Sequence, residues 1–420
     1  MLEGQGARGL GRRAGIPRCG LLERAAPWHL PPALWHPAPW HTALVITALL
    51  CLVSPTASAQ GLARGTVNDP VACSGDPSQT YALYLPSTYS PDREWSLLLA
   101  FHPAARGRVM VEKFQAAAER YGYIVAASNN SRNGPYAGSM AAAQAMMTDV
   151  SHRFAIDPQR VYLAGMSGGA RVATGLALAN KTIAGVVASS AGYPDSQPRA
   201  SVPFAIFGTA GTEDFNYLEM RLLDRKLSSP HFLAVFQGGH TLPPDDVAFE
   251  ALEWMELQAM QSGRRSRDTA LIERILEKRR ARIAAASGPA DTVYLLQAIV
   301  SDFKGLADVS AEAARLERTS SQPDVRNALK RERSADDAEG RMLAEIFELE
   351  AQLGDDSRRP GALSLLRDRL SKIARRAGGD TDTPERSQAR RVLRAVTAGA
   401  TERVQDPDYR TLLEQYRTGR

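Results

Sequence analysis

The chain has 420 residues, 44% hydrophobic, 7% aromatic and 23% charged, a balance that excludes a mostly disordered or collagen-like polymer. The formal net charge is only +5, but the two halves differ: residues 261–420 carry 31 Lys and Arg with 26 Asp and Glu, whereas the first 260 carry 40 charged residues in all. Interleaved signs leave no single basic stripe of the kind nucleic acid requires, and the length suggests two domains.

Five arginines, Arg8, Arg12, Arg13, Arg18 and Arg24, precede an apolar run from Thr42 to Val53, and Ala57, Ser58 and Ala59 follow it. The run is too short to span a bilayer as a mature helix, and the small residues form a cleavage signal before Gln60. Residues 1–59 therefore read as a basic leader plus secretory signal peptide, which makes the protein secreted or periplasmic with no stable membrane span. Cleavage removes Cys19 and Cys51 and leaves Cys73 as the single thiol. It can form no internal disulfide, so stability must come from a packed core, and its spacing supports no zinc site.

Residues 66–262 alternate strand and helix patterns. Tyr81 to Pro86 reads as an edge strand, and Ser96 to His102 is a continuous apolar run, as in strands buried on both faces. A helical stretch from Met110 to Tyr121 is followed by a strand over Gly122 to Ser128, a helix around Ala141 to Phe154, a strand over Arg160 to Gly165 and a helix from Gly168. Strands over Ile183 to Ser190, Pro203 to Gly208 and Phe232 to Phe236 alternate with a helix near Asn216 to Leu227, and a helix from Asp246 to Met260 closes the series. This alternation predicts a mostly parallel sheet covered on both faces, with chemistry beyond the carboxyl ends of its strands.

The polar residues fall at those ends. Gly165-Met166-Ser167-Gly168-Gly169 stands between a strand and a helix, the context in which a G-x-S-x-G turn exposes a strained nucleophile. A serine hydroxyl needs a base, and four histidines remain after the leader: His102, His152, His231 and His240. His152 lies in a charged helical stretch and His231 precedes a strand. His240 follows that strand on a glycine-flanked loop, so it is the expected base. The acid should follow Pro203 to Gly208, where Glu213 and Asp214 are available; Asp214 is expected and Glu213 is the reserve. Two backbone N–H groups should stabilise the oxyanion, assigned to Gly168 and to Ala104, with Ala105 in reserve, since Pro103 has no N–H to donate. His102 reads as a structural histidine at a strand end. No cofactor or metal is needed, and no P-loop, dinucleotide fingerprint or zinc motif is present.

These residues, with the segments running from Tyr81 to Pro244, resemble the secreted α/β-hydrolase esterases that include polyhydroxybutyrate depolymerase-like and feruloyl or acetylxylan esterase-like proteins. The resemblance implies an α/β-hydrolase fold, a Ser167, Asp214 and His240 triad, and a small-molecule or polymer ester as substrate. The chain departs from the family twice. His102 is followed by Pro103 where the family usually has glycine, and Gly211 stands where it often has the aspartate. A hydrolase-fold binding or scaffold protein without turnover is the rival expectation, and a peptidase or thioesterase would use the same triad.

Residues 264–420 read as a charged all-α domain. Apolar residues recur at helical spacing, as at Val293, Leu296, Ile299 and Phe303, and Pro289, Pro323, Pro360 and Pro384 divide the region into short helices. One stretch, Ala290 to Leu316, resembles part of a tetratricopeptide hairpin, without a clear 34-residue repeat. The charges read as solvated faces, and the apolar stripe as packing on the hydrolase domain, a dimer contact or a site for a protein partner.

Overall fold

A computed structural model of the chain describes residues 61–417 apart from 196, 198, 287, 380–382 and 400–403. The leader and its signal segment lie outside the described residues. Eight strands form one sheet: β1 (Val67–Ala72), β2 (Thr80–Tyr84), β3 (Trp95–Phe101), β4 (Tyr123–Ser128), β5 (Ile156–Met166), β6 (Ile183–Ser189), β7 (Ala205–Gly211) and β8 (His231–Phe236), in the spatial order 1-2-4-3-5-6-7-8. β1 and β2 pair antiparallel, as do β2 and β4, and every other neighbour is parallel. This is the α/β-hydrolase sheet.

The edge is β1, not the Tyr81 to Pro86 segment. Val67–Ala72 has no apolar alternation and contains Pro70, a residue that a sheet tolerates at its margin because it cannot donate to a ladder. β3, the continuous apolar run, is buried along its whole length between β4 and β5.

Five helices cover the sheet: α1 (Gly107–Tyr121), α2 (Tyr136–Arg153), α3 (Gly168–Ala179), α4 (Tyr217–Lys226) and α5 (Asp245–Gln261). On one face Met146, Val172, Leu176 and Met220 of α2, α3 and α4 pack on Leu97, Leu99 and Val186 of the strands. On the other, Met110 and Phe114 of α1 and Trp254 and Met255 of α5 pack on Leu98, Tyr162 and Phe207. Alternate residues of each strand thus serve opposite layers, as the period of two requires. Burial of these side chains contributes roughly 1.5–3 kcal/mol each before chain entropy is charged against it.

The remaining helices are α6 (Thr269–Ala284), α7 (Pro289–Asp302), α8 (Ser310–Ser321), α9 (Pro323–Gln352), α10 (Arg359–Ala377), α11 (Pro384–Thr397) and α12 (Pro407–Arg417). Pro289, Pro323, Pro360 and Pro384 all stand in first turns, where a missing N–H leaves no bond unmade. They mark starts well but say nothing of ends: α9 runs 30 residues, longer than the short helices expected, and lengths from 11 to 30 residues carry no regular two-helix repeat. Among the described residues no helix is long and apolar enough to cross a membrane.

The helical region is joined to the sheet region by packing and by charge. Leu218 of α4 belongs to the same apolar cluster as Ile346, Leu366 and Val392, and Leu257 and Met260 of α5 join Leu271, Ile275 and Leu296. Along α5 the buried carboxylates of Glu250, Glu253 and Glu256 meet cations that include Arg282 of α6 at 2.5 Å, Lys278 of α6 at 2.8 Å, and Arg265.

Candidate active site

The turn between β5 and α3 holds Ser167 at φ 53°, ψ −121°, a backbone that a side-chain-bearing residue adopts only under strain of order 1–3 kcal/mol. The surrounding structure enforces it. A Cβ on Gly165 would overlap the Gly169 carbonyl, and one on Gly169 would overlap the Phe101 carbonyl of β3, so strand and helix approach at a distance only glycine permits. Ser167 N–H donates to the Ser189 carbonyl of β6 at 2.8 Å, and the side chain, half-buried, stands at the carboxyl end of the sheet.

Asp214 and His240 are brought together as expected. His240 Nδ1 lies 2.8 Å from Asp214 Oδ1. A carboxylate can only accept, so the proton of this bond sits on Nδ1. The same Oδ1 accepts the Asn216 N–H at 2.8 Å, and the fully buried Asp214 keeps Oδ2 without a partner among the described residues. Phe215 stacks on the imidazole with ring centres 3.9 Å apart, so ring and carboxylate fix the histidine on two sides. No hydrogen bond joins Ser167 Oγ to His240 among the described residues. The two are linked through the residues after β6: Ser190 Oγ donates to the Thr241 carbonyl at 3.5 Å, and Asn216 Nδ2 donates to the Ser190 carbonyl at 2.7 Å.

The departure at position 211 has a steric cause. A Cβ on Gly211 would collide with the Gly238 and Gly239 carbonyl oxygens, because the acid loop and the base loop cross there. No aspartate fits at that point. The carboxylate comes instead from Asp214, three residues on, in a loop pinned by Thr212 N–H to the Phe236 carbonyl at 2.9 Å and Glu213 N–H to the Gly238 carbonyl at 2.8 Å.

Glu213, the reserve acid, faces away from the imidazole's carboxylate partner and into the helical region, where it meets Arg390 and Arg394 of α11, each at 2.7 Å. Burial works to raise its pKa, but the two guanidiniums hold the carboxyl below its ordinary value. Arg394 also donates to the Glu213 carbonyl at 2.9 Å, and Arg391, paired with buried Glu339 of α9, donates to the Thr212 carbonyl at 2.8 Å. The α11 charges that read as a solvated face are thus anchors on the acid loop. An open cavity of about 420 Å³ lies between the two regions, bounded by Phe215 and His240 on one side and Arg394 and Thr397 on the other. A second cavity of about 490 Å³, between α9 and α10 near Ile346 and Arg376, is lined by residues of these two helices alone.

The oxyanion side differs from expectation. Ala104 N–H donates to His102 Nδ1 at 3.0 Å, and the reserve, Ala105 N–H, donates to the His102 carbonyl at 3.1 Å. Both are committed to the turn that follows β3. Gly168 N–H, in the first turn of α3, has no acceptor among the described residues. Pro103 does not release the loop: its carbonyl accepts the Asn133 N–H at 2.7 Å, and Ala104 bridges Arg132, so the 128–138 segment is laced to the loop.

His102 is buried, and burial together with the nearby Arg106 guanidinium pushes its pKa down to about 4. A neutral imidazole that orders a backbone turn is a structural group. His152 is exposed, and His231 Nδ1 lies 2.7 Å from the Ser229 carbonyl, so neither joins the site. Cys73 is buried, and desolvation, with Asp149 nearby, pushes its thiol up to about 11, too high for a thiolate nucleophile.

No protein-family model and no curated protein matches the chain, and none places it in the polyhydroxybutyrate depolymerase-like group. Among solved structures it is similar to the propionate-bound esterase of the Planctomycetes species Thermogutta terrifontis, at 16% identity over 45% of this chain and 92% of that one, with a TM-score of 0.35. It is also similar to the Pyrobaculum calidifontis esterase, at 11% identity over 47% and 85% of the two chains, with a TM-score of 0.35. Likeness at this level reaches no further than the fold.

Proposed function

We propose that the protein is a serine hydrolase that cleaves carboxylic esters through an acyl-enzyme, with Ser167 as nucleophile, His240 as general base and Asp214 as the acid that orients it. The observation that carries this reading is the buried Asp214 bonded to His240 Nδ1, in a sheet that also holds a strained serine between two obligatory glycines. A buried carboxylate that fixes one imidazole nitrogen turns the other toward the task of taking a proton, which supports this reading.

In this reading Ser167 Oγ bonds to the ester carbonyl carbon as its proton passes to His240 Nε2. In the productive complex Ser167 Oγ and His240 Nε2 come within hydrogen-bond reach. The tetrahedral oxyanion meets Gly168 N–H, the C–O bond to the alcohol breaks, and His240 returns the proton to the departing oxygen. Water then repeats the sequence on the acyl-serine, giving the carboxylic acid and free Ser167. The leader adds export to the periplasm or exterior, and the groove beside α11 adds a place for part of the substrate. The same chemistry would serve a thioester or amide; the ester is preferred to the amide because an alcohol asks less of the proton donor than an amine does.

The scaffold reading draws on the committed Ala104 and Ala105 N–H groups and the missing Ser167–His240 hydrogen bond. One experiment separates the two. Hydrolysis of a short-chain p-nitrophenyl ester is compared between the purified protein and a Ser167→Ala variant shown by circular dichroism to be folded. An esterase loses at least about 10³-fold in kcat. A scaffold shows no difference between the two proteins.

A further inference from the structure

An acyl-transfer site needs more than one donor for its oxyanion, and two of the three backbone groups expected here are already engaged by His102. The side chain beside Gly168, whose N–H is the remaining donor, is that of Asn133. A Cβ on Gly168 would collide with the Asn133 carboxamide, whose Oδ1 is the nearest atom to that position. The amide thus occupies the space beside position 168. Asn133 is exposed, and its side chain makes no hydrogen bond among the described residues. Its backbone is fixed by the N–H bond to the Pro103 carbonyl, which holds the segment after β4 against the turn that carries Ala104.

We propose that the Asn133 side-chain amide is the second oxyanion donor, acting with Gly168 N–H on the tetrahedral intermediate formed at Ser167. Rotation about χ2 exchanges Oδ1 and Nδ2 at no cost in hydrogen bonds, and the developing negative charge selects the orientation with Nδ2 inward. The proline after His102 then has a role. It removes one donor from the loop, while its carbonyl holds the Asn133 backbone. The inference rests on the serine-hydrolase reading and names a further residue for it.

The test compares wild type, Asn133→Ala, Asn133→Asp and Ser167→Ala in ester hydrolysis, and measures inhibition by a trifluoromethyl ketone, which forms a serine hemiketal bearing the oxyanion. Loss of a side-chain oxyanion donor costs roughly 10²–10³-fold in kcat. Asn133→Ala should lose that much with KM within about threefold, and its affinity for the ketone should fall in parallel. Asn133→Asp, the same shape without the N–H, should lose at least as much. A residue that merely props the loop would change melting temperature or KM and leave ketone affinity unmoved. Turnover of Asn133→Ala within threefold of an active wild type overturns this inference alone. A wild type no faster than Ser167→Ala overturns the hydrolase reading and this inference with it.

Discussion

The sheet region and the helical region solve the same problem, holding side chains in place, by different physics. In the sheet region precision comes from backbone close approach: Gly165 and Gly169 let α3 press against β3, and Gly211 lets the acid and base loops cross. In the helical region it comes from paired charge, with Arg391 on Glu339 and the α11 arginines on Glu213 and on the Thr212 carbonyl. The difference teaches where each kind of residue can be replaced. A close backbone contact fails with any side chain, whereas a charged contact fails only when one partner is left buried and alone.

The largest effect separates two adjacent carboxylates. Asp214→Asn should keep the fold and lower kcat by about 10⁴-fold, because the amide no longer selects the His240 tautomer. Glu213→Gln removes an anchor and leaves the imidazole's partner untouched, so its loss should stay below about tenfold. Steady-state kinetics on one ester decide both, and equal losses would mean that the acid loop acts as a unit.

Arg391→Ala should come next. Glu339 is 1% exposed, and removing its partner leaves a buried charge whose cost is about 3 kcal/mol, besides freeing the Thr212 carbonyl. Urea unfolding followed by tryptophan fluorescence measures it. Arg394 is the more exposed partner, and Arg394→Ala should cost less than about 1 kcal/mol. A reversal of that order would break the charge-anchor account of the helical region.

The smallest effect concerns pH. His102 has a folded pKa near 4 against an ordinary value near 6.5, so between those values the unfolded chain takes a proton that the native protein does not. Stability owed to this group is complete above pH 6.5 and is lost as the pH falls toward 4. Asp302, pushed up to about 6 by burial, acts in the opposite direction over the same window, so the comparison must be a difference between proteins. Wild type should lose more stability than His102→Asn between pH 7 and pH 4.5 in chemical denaturation, and equal slopes would show that the imidazole is protonated in the folded protein.

Much of this architecture was legible beforehand because its signals are local. Continuous apolar runs marked the buried strands, and the glycine-flanked serine and histidine marked loops at their carboxyl ends. β1 was not legible, since an edge strand with one face in water and a proline within it carries no period. The length of α9 was not legible either, because prolines mark where helices begin and nothing in a charged sequence shows where this one stops. Asn133 was not legible, because its position depends on a backbone bond to Pro103 that no spacing reveals. The α11 arginines looked like a solvated face. Burial by a distant acid loop, 177 residues earlier in the case of Arg390 and Glu213, leaves no mark on local pattern.

The central claim, that Ser167 is a nucleophile activated by His240 and Asp214, is tested most directly by covalent labelling. The purified protein is treated with a fluorophosphonate, and its intact mass and peptide map are recorded beside His240→Ala and Asp214→Asn. The account predicts one phosphonyl group per chain, on Ser167, with labelling slowed at least a hundredfold in both variants. An unlabelled wild type, or a label that forms as fast without His240, would contradict it.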